Sequence, residues 1–290
     1  AAFACMSDIT TKENRSKGMG LIGAAFGLGF IAGPAIGGLL AGSDPVTTNY
    51  TLPSLVAAGF SGVALATAFF ILKETLSNKL KLKIKNQSAD ERWLIFKGAM
   101  NQPTIRLTMA LTFVSILAFA GLEATFALWS ERSFGWGVAQ NGYIFAFIGT
   151  ISAFIQGTMI GFLSRKFGEV GMVKQGFLAL GVGLAILPFT NNLPTLLITL
   201  VIIAYGFSIS SPALNTLLSL NVPDEQQGSI LGIGRSASTL ARALGPIISG
   251  YLFAFIGKNW PFYIGAFLTL IVLILALNFP KDTKESKFKN

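Results

Sequence analysis

Polar residues in this chain fall in short clusters between long apolar stretches. Runs of about twenty or more mostly apolar residues occupy 18–40, 53–72, 105–128, 138–163, 172–190, 194–220, 228–256 and 260–279. About 20 apolar residues is the length of a helix that crosses a bilayer. A buried helix of a soluble protein can reproduce one such run, but not eight in one chain. The runs are built of Leu, Ile, Phe, Ala and Gly, and Gly is commoner in membrane helices than in soluble ones. The pattern predicts eight transmembrane helices.

The gaps carry the charge. If they alternate between two sides, one side holds 1–17, 73–103, 164–174, 221–227 and 281–290, with 17 of the 22 Lys and Arg. The other holds 41–52, 129–137, 191–193 and 257–259, with 2. Arg106, Arg235 and Arg242 lie within or at the ends of spans. Basic residues stay on the cytoplasmic side of a membrane, so the first side is expected to be cytoplasmic. A miscounted span would scramble this division. The formal net charge of +9 therefore reads as topology, with the anionic inner leaflet as the surface it meets. Nucleic-acid binding would need the basic residues gathered on a soluble face.

Composition agrees. Of 290 residues, 52% are apolar and 12% charged, against ~25% charged in an ordinary globular protein. There is no His, which excludes His bases, His-ligated metals and Ser-His-Asp triads. The single Cys, Cys5, excludes an internal disulfide and a Cys-rich metal site. The GxxxxGK[ST] phosphate loop is absent, so the chain offers no ATP-driven energy source. No cofactor is expected. The chain opens Ala1-Ala2-Phe3-Ala4-Cys5-Met6, without the basic start of a signal peptide, and reads as the tail of a helix arriving at the cytoplasm.

Two spans share a pattern. GLGFIAGPAIGG at 27–38 and TLARALGPIISG at 239–250 align Gly33-Pro34 with Gly245-Pro246 and Gly38 with Gly250. Both begin at the cytoplasmic side, as in transporters built from parallel repeats about an axis along the membrane normal. Four spans separate position 105 from the second copy, yet only the end of one precedes the first. The expectation is a twelve-span molecule in two bundles of six, of which this chain is the C-terminal two-thirds.

Gly29-x-x-x-Gly33-Pro34-x-x-Gly37-Gly38 resembles the antiporter motif in the fifth helix of major facilitator superfamily drug/proton exchangers. Asp8-Ile9-Thr10 followed by Arg15 resembles the family's loop after the fourth helix. GFLSRKFGE at 161–169 is similar to its Gly-rich basic loop between helices eight and nine. SPALNTLLS at 211–219, with Asp224-Glu225-Gln226-Gln227-Gly228 after it, resembles the tenth helix and following loop of tetracycline-efflux-type members. The resemblance implies an all-α membrane protein, a major-facilitator-type helical bundle with eight of twelve helices present. It also implies four divisions: the end of helix four with helices five and six at 1–72, a cytoplasmic linker at 73–103, a six-helix bundle at 104–280 and a cytoplasmic tail at 281–290.

Candidate functional residues follow. Gly29, Gly33 and Gly37 are four apart and let another backbone approach, and Pro34 frees a carbonyl so that the helix can bend. With Gly38 they make either ordinary tight packing or a flexible seam between bundles. Glu123 is the one acidic residue well inside a span, late in 105–128. It is either a proton or cation site or a carboxylate that reaches the interface. Arg242 and Arg235 form one polar stripe with Ser238 and Thr239. A guanidinium cannot shed its proton, so Arg242 attracts an anionic group, pairs with a carboxylate such as Glu123, or pins two helices through free carbonyls. The resemblance makes the tenth helix a cavity wall, so Tyr205, Ser208 and Asn215 are binding candidates. Gln156, with Asn141 and Tyr143, is a weaker group. Arg165 and Lys166 are held by anionic lipid, or Arg165 forms a cytoplasmic latch with Asp224 or Glu225; Asp8 looks like one half of the corresponding latch, its Arg partner expected in the part of the molecule before this chain, and Arg15 and Lys166 are further latch candidates. Ser88-x-x-Glu91 is a capping box before an amphipathic stretch in which Trp93, Phe96 and Met100 share a face on the inner membrane surface.

The expected function is secondary active transport: proton-coupled efflux of a small amphipathic or drug-like molecule by alternating access. The alternatives are a proton-coupled symporter of a sugar or organic acid, and a non-transporting membrane receptor or scaffold of the same fold. An enzyme is not expected. The partners would be a small-molecule substrate, protons and the lipid bilayer, with no nucleic acid, and the protein would act as a monomer. Its place would be the cytoplasmic membrane of a bacterium or archaeon.

Overall fold

A computed structural model describes residues 15–42, 48–71, 97–98, 100–220 and 227–277. Among these residues all regular structure is helical: α1 (Arg15–Ala41), α2 (Thr51–Ile71), α3 (Pro103–Phe134), α4 (Val138–Phe154), α5 (Ile160–Ile186), α6 (Leu193–Leu220), α7 (Gln227–Tyr251) and α8 (Trp260–Leu277). Hydrocarbon offers no water to bond backbone amides, so an apolar chain in it satisfies them internally as helix. A π-turn at Ile155–Met159 joins α4 to α5, and another at Leu252–Ile256 extends α7.

Among the described residues, six helical runs are long and apolar enough to cross a membrane. One of them, Val138–Phe189, has 52 residues. As a straight rod it would reach ~78 Å, more than twice the ~30 Å hydrocarbon core. It is not straight. Gly168, at φ 68° and ψ 171°, breaks α5 in a conformation that a side chain resists. Ile155 and Leu163 before the break share one hydrophobic cluster with Met172, Val173 and Phe177 after it. The stretches expected separately at 138–163 and 172–190 are thus separated by a kink at a glycine.

The chain divides into two compact units. The first comprises Ala1–Ala89 and Gly135–Thr150, and so holds α1, α2 and most of α4. Here the end of α1 is tied to the start of α4 by the Ala139 amide, which donates to the Gly42 carbonyl at 3.1 Å. Asn49 caps α2, its Oδ1 accepting from the Thr51 amide at 2.9 Å. No side chain of α2 is buried.

The second unit comprises Asp90–Phe134 and Ile151–Asn290. α3 runs through it with buried residues at helical spacing, including Leu111, Ser115, Ala118, Leu122, Phe126 and Trp129. The main core gathers Leu111 of α3, Phe177 of α5, Ile209 and Leu217 of α6, and Val272 and Ala276 of α8. Met100 packs against a smaller cluster of Ile105, Met109 and Leu218. It therefore turns into the protein, not onto a membrane-facing stripe; Trp93 and Phe96, its expected companions, lie outside the described residues. At the far end of α3, Trp129 is buried among Phe126, Phe134 and Phe262. Its Nε1 donates to Asn259 Oδ1 at 3.0 Å, so the indole contributes apolar area and a satisfied polar tip.

Candidate functional site

The second unit brings Glu123 and Arg242 together. Arg242 Nη2 donates to Glu123 Oε2 at 2.9 Å, with 58% of the arginine side chain and 34% of the glutamate exposed. Glycines allow it. A Cβ on Gly245 would lie 2.9 Å from the Leu117 carbonyl oxygen and 3.2 Å from the Gly121 amide nitrogen, and one on Gly121 would collide with the Ser249 hydroxyl. α3 and α7 therefore cross backbone to backbone, and the ion pair flanks that crossing. Small residues are what permit such an approach in membrane helices. Arg242 lies about 22 Å along α7 from Gln227 at ~1.5 Å per residue, near the middle of the helix and its π extension. Pro246 frees the Arg242 carbonyl, which lacks an amide donor one turn on.

Arg242 belongs to an exposed polar face of α7 with Gly232, Arg235, Ser236 and Thr239. The hydroxyls of Ser236, Ser238 and Thr239 donate to carbonyls of their own helix, those of Gly232, Gly234 and Arg235. These hydroxyls are thus spent within the helix, whereas Arg242 reaches across to Glu123 on α3.

The tenth-helix candidates are placed differently from one another. Tyr205 donates its hydroxyl to Gln175 Oε1 at 3.3 Å and packs on the main core. Ser208 is fully buried and its hydroxyl has no partner, as with Ser115 of α3. Asn215, beyond Pro212, is exposed and donates to the Ser211 carbonyl. Gln156 is exposed on the π-turn, a helix irregularity frequent at functional sites. Gln175 and the glycine Gly121 were not singled out from sequence. Gln175 directly follows Lys174 and reads as the edge of the basic cluster at 164–174, and Gly121 has no distinguishing neighbour pattern.

In the first unit the antiporter-type motif splits into two faces. Gly29, Gly33 and Gly37 have open space where a Cβ would stand. They line an apolar groove of about 330 Å³ with Pro53, Val56 and Phe60 of α2. Backbone contact falls instead on Gly38, whose Cβ would lie 3.0 Å from Gly142 Cα, and on Pro34, whose carbonyl would be 2.5 Å from a Cβ on Gly142. The expected close approach at the glycines four apart is thus displaced. Their face turns to α2, and the face about 100° away meets α4.

Lys166 lies 5.6 Å and 5.3 Å from the ring centres of Phe162 and Phe167, beside an exposed Arg165. Asp8, Asp224 and Glu225 lie outside the described residues, as does the side chain of Arg15. Among the described residues no group of three or more His, Cys, Asp or Glu is placed to hold a metal ion.

Comparison with known proteins gives this arrangement a family. The model of the Major Facilitator Superfamily matches residues 1–233 and 157–290. The chain is 30% identical over 281 residues to multidrug resistance protein 2 of Bacillus subtilis (strain 168), covering 96% of this chain and 68% of that protein. It is 30% identical over 280 residues to the class E tetracycline resistance protein of Escherichia coli, covering 94% and 67%. The crystal structure of the human organic anion transporter MFSD10 (TETRAN) superposes with a TM-score of 0.68 at 26% identity, over 94% of this chain and 66% of that one. The chain spans about two thirds of the length of these relatives. Six membrane-length apolar helical runs among the described residues and a family model matched from end to end agree: the chain is an integral membrane protein and belongs to the Major Facilitator Superfamily.

Proposed function

We propose that the chain is the larger part of a secondary active exporter, which moves a small amphipathic or drug-like molecule by alternating access and is driven by protons. The observation that carries this reading is the Glu123–Arg242 ion pair. Ionisable residues within membrane helices are costly and mark substrate or proton pathways. Resistance proteins among the relatives support export. In this proposal Glu123 exchanges protons, and Arg242, Tyr205, Ser208, Asn215 and Gln156 contact substrate. The Gly29–Gly38 motif is a moving seam, and Asp8, Arg15, Arg165, Lys166, Asp224 and Glu225 form cytoplasmic latches. The four divisions at 1–72, 73–103, 104–280 and 281–290 and the cytoplasmic-membrane location are part of the same reading.

The test is ethidium flux in proteoliposomes of the full-length protein under an imposed pH gradient. Gradient-driven accumulation is expected in the unaltered protein and its loss in Glu123→Gln, with ethidium binding kept. Unchanged accumulation in Glu123→Gln would move the coupling group elsewhere. A second reading, uptake of an organic acid with a proton, is favoured by one observation: cations outnumber carboxylates on the polar face at α3 and α7.

A further inference from the structure

We infer that Arg132 and Lys258 together hold the phosphodiester of an anionic lipid headgroup at the less basic face of the membrane. The inference needs the chain to be an integral membrane protein and does not depend on what it carries or in which direction.

The charge distribution singles these two residues out. The gaps expected on the less basic side hold 2 of the 22 Lys and Arg, and those two are Arg132 and Lys258. They are far apart in the chain, yet the fold brings them to one spot. Lys258 Nζ donates to the hydroxyl of Ser133, the residue after Arg132, at 3.1 Å. Bond lengths then put the ammonium within ~10 Å of the Arg132 Cα. The Arg132 guanidinium carbon lies 4.4 Å from the centre of the Phe253 ring, in the π-turn that leads towards Lys258. Gly257, at φ 149°, lets the chain reverse from that turn into α8, in a conformation that a side chain resists. Asn259 accepts from Trp129 at the end of α3. Two successive residues, Lys258 and Asn259, thus pin the turn beside Arg132.

No partner within the protein accounts for this meeting. Among the described residues neither cation pairs with a carboxylate, and neither donates to a carbonyl in the last turn of α3. Arg132 meets Phe253 through the ring's π face, so its five N–H donors remain to be used, and Lys258 has spent one of three. Glu131 precedes Arg132 on α3, but successive helix residues point about 100° apart, and it forms no ion pair with either cation. Two like charges held together repel, and an anion beside both removes that cost. Two cations and one carboxylate leave one net positive charge, which a singly charged phosphodiester neutralises. The fork of arginine suits two oxygens of such a phosphate.

The depth is that of headgroups. Trp260 and Tyr263 open α8 and meet edge to face with ring centres 6.3 Å apart, and Trp and Tyr gather where a membrane meets water. From Trp260 to Leu277, α8 carries no charged residue, which gives acyl chains an apolar lane. A headgroup with its own ammonium would place a third cation beside Lys258; one ending in glycerol hydroxyls would not. The lipid class is therefore that of phosphatidylglycerol.

The test is native mass spectrometry of the full-length protein in detergent, titrated with phosphatidylglycerol or with phosphatidylcholine of the same acyl chains. The unaltered protein is expected to retain more of the first than of the second. Arg132→Gln combined with Lys258→Gln is expected to retain one phosphatidylglycerol fewer, with phosphatidylcholine unchanged, and each single change should weaken that step about fivefold. Hydrogen exchange of the unaltered protein in nanodiscs needs no variant: residues 252–263 are expected to exchange more slowly in phosphatidylglycerol than in phosphatidylcholine. Equal retention of the two lipids, a phosphatidylglycerol count that the double change leaves intact, or equal exchange over 252–263 would each overturn the inference. Displacement of the lipid by millimolar inorganic phosphate would overturn the lipid assignment in favour of a soluble phosphate ligand.

Discussion

Gly38 of α1 and Gly142 of α4 stand so close that neither has room for a side chain. A Cβ on Gly38 would lie 3.0 Å from Gly142 Cα and 2.9 Å from the Val138 carbonyl oxygen. Gly142→Val is therefore expected to destabilise the protein by about 1–3 kcal/mol through overpacking. Gly33→Leu, which projects into the open groove against α2, should cost clearly less. Thermal unfolding of the full-length protein in detergent compares the two, and equal losses would contradict this packing.

Gly121 and Gly245 hold α3 against α7. Gly121→Val should push the helices apart, cost about 1–3 kcal/mol and lengthen the Glu123–Arg242 contact. The decisive readout is a double-mutant comparison. If Gly121 acts by positioning the pair, its effect on transport should shrink when both charges have been removed.

Removing one partner of a charge pair leaves the other uncompensated. Glu123→Gln should therefore lower stability more than Glu123→Gln combined with Arg242→Gln, because the neutral pair leaves no orphaned guanidinium in the helix. Unfolding of the two variants in the same detergent would show it, and a lower stability for the double variant would argue that the pair does not hold α3 to α7.

Gly168 sits at φ 68° and ψ 171°, where a branched side chain is strained by about 1–3 kcal/mol. Gly168→Val is expected to lower thermal stability by that order, and Gly157→Val, which has open space at its Cβ, by less.

Trp129 donates its indole N–H to Asn259 from a fully buried position. Asn259→Leu leaves that donor without a partner and should cost about 1–3 kcal/mol. Asn259→Asp, which keeps an acceptor oxygen, should recover part of it. The comparison of melting temperatures checks the bond without perturbing the ion pair.

The helices were legible from sequence because an apolar run of some twenty residues has one way to satisfy its backbone in a membrane. Both ends of Thr51–Ile71, Leu193–Leu220 and Trp260–Leu277 fall within two residues of the apolar runs. The Glu123–Arg242 pair was legible as one of several options, since charge within a span needs a partner and few were on offer. Which glycine touches a neighbour was not legible. Gly33 and Gly38 carry the same local signal, and only the rotation of α1 about its axis puts Gly38 against α4 and Gly33 against a groove. Met100 reads as part of an amphipathic stripe, yet it finds Ile105, Met109 and Leu218 because those apolar side chains converge only after α3 and α6 have packed. The Tyr205–Gln175 bond joins residues thirty apart on adjoining helices. Composition and periodicity report what each helix prefers to bury along its own length. Contacts between helices depend on their rotation and crossing, which are decided when many weak packing interactions are satisfied together, and that information is not local to any stretch of the chain.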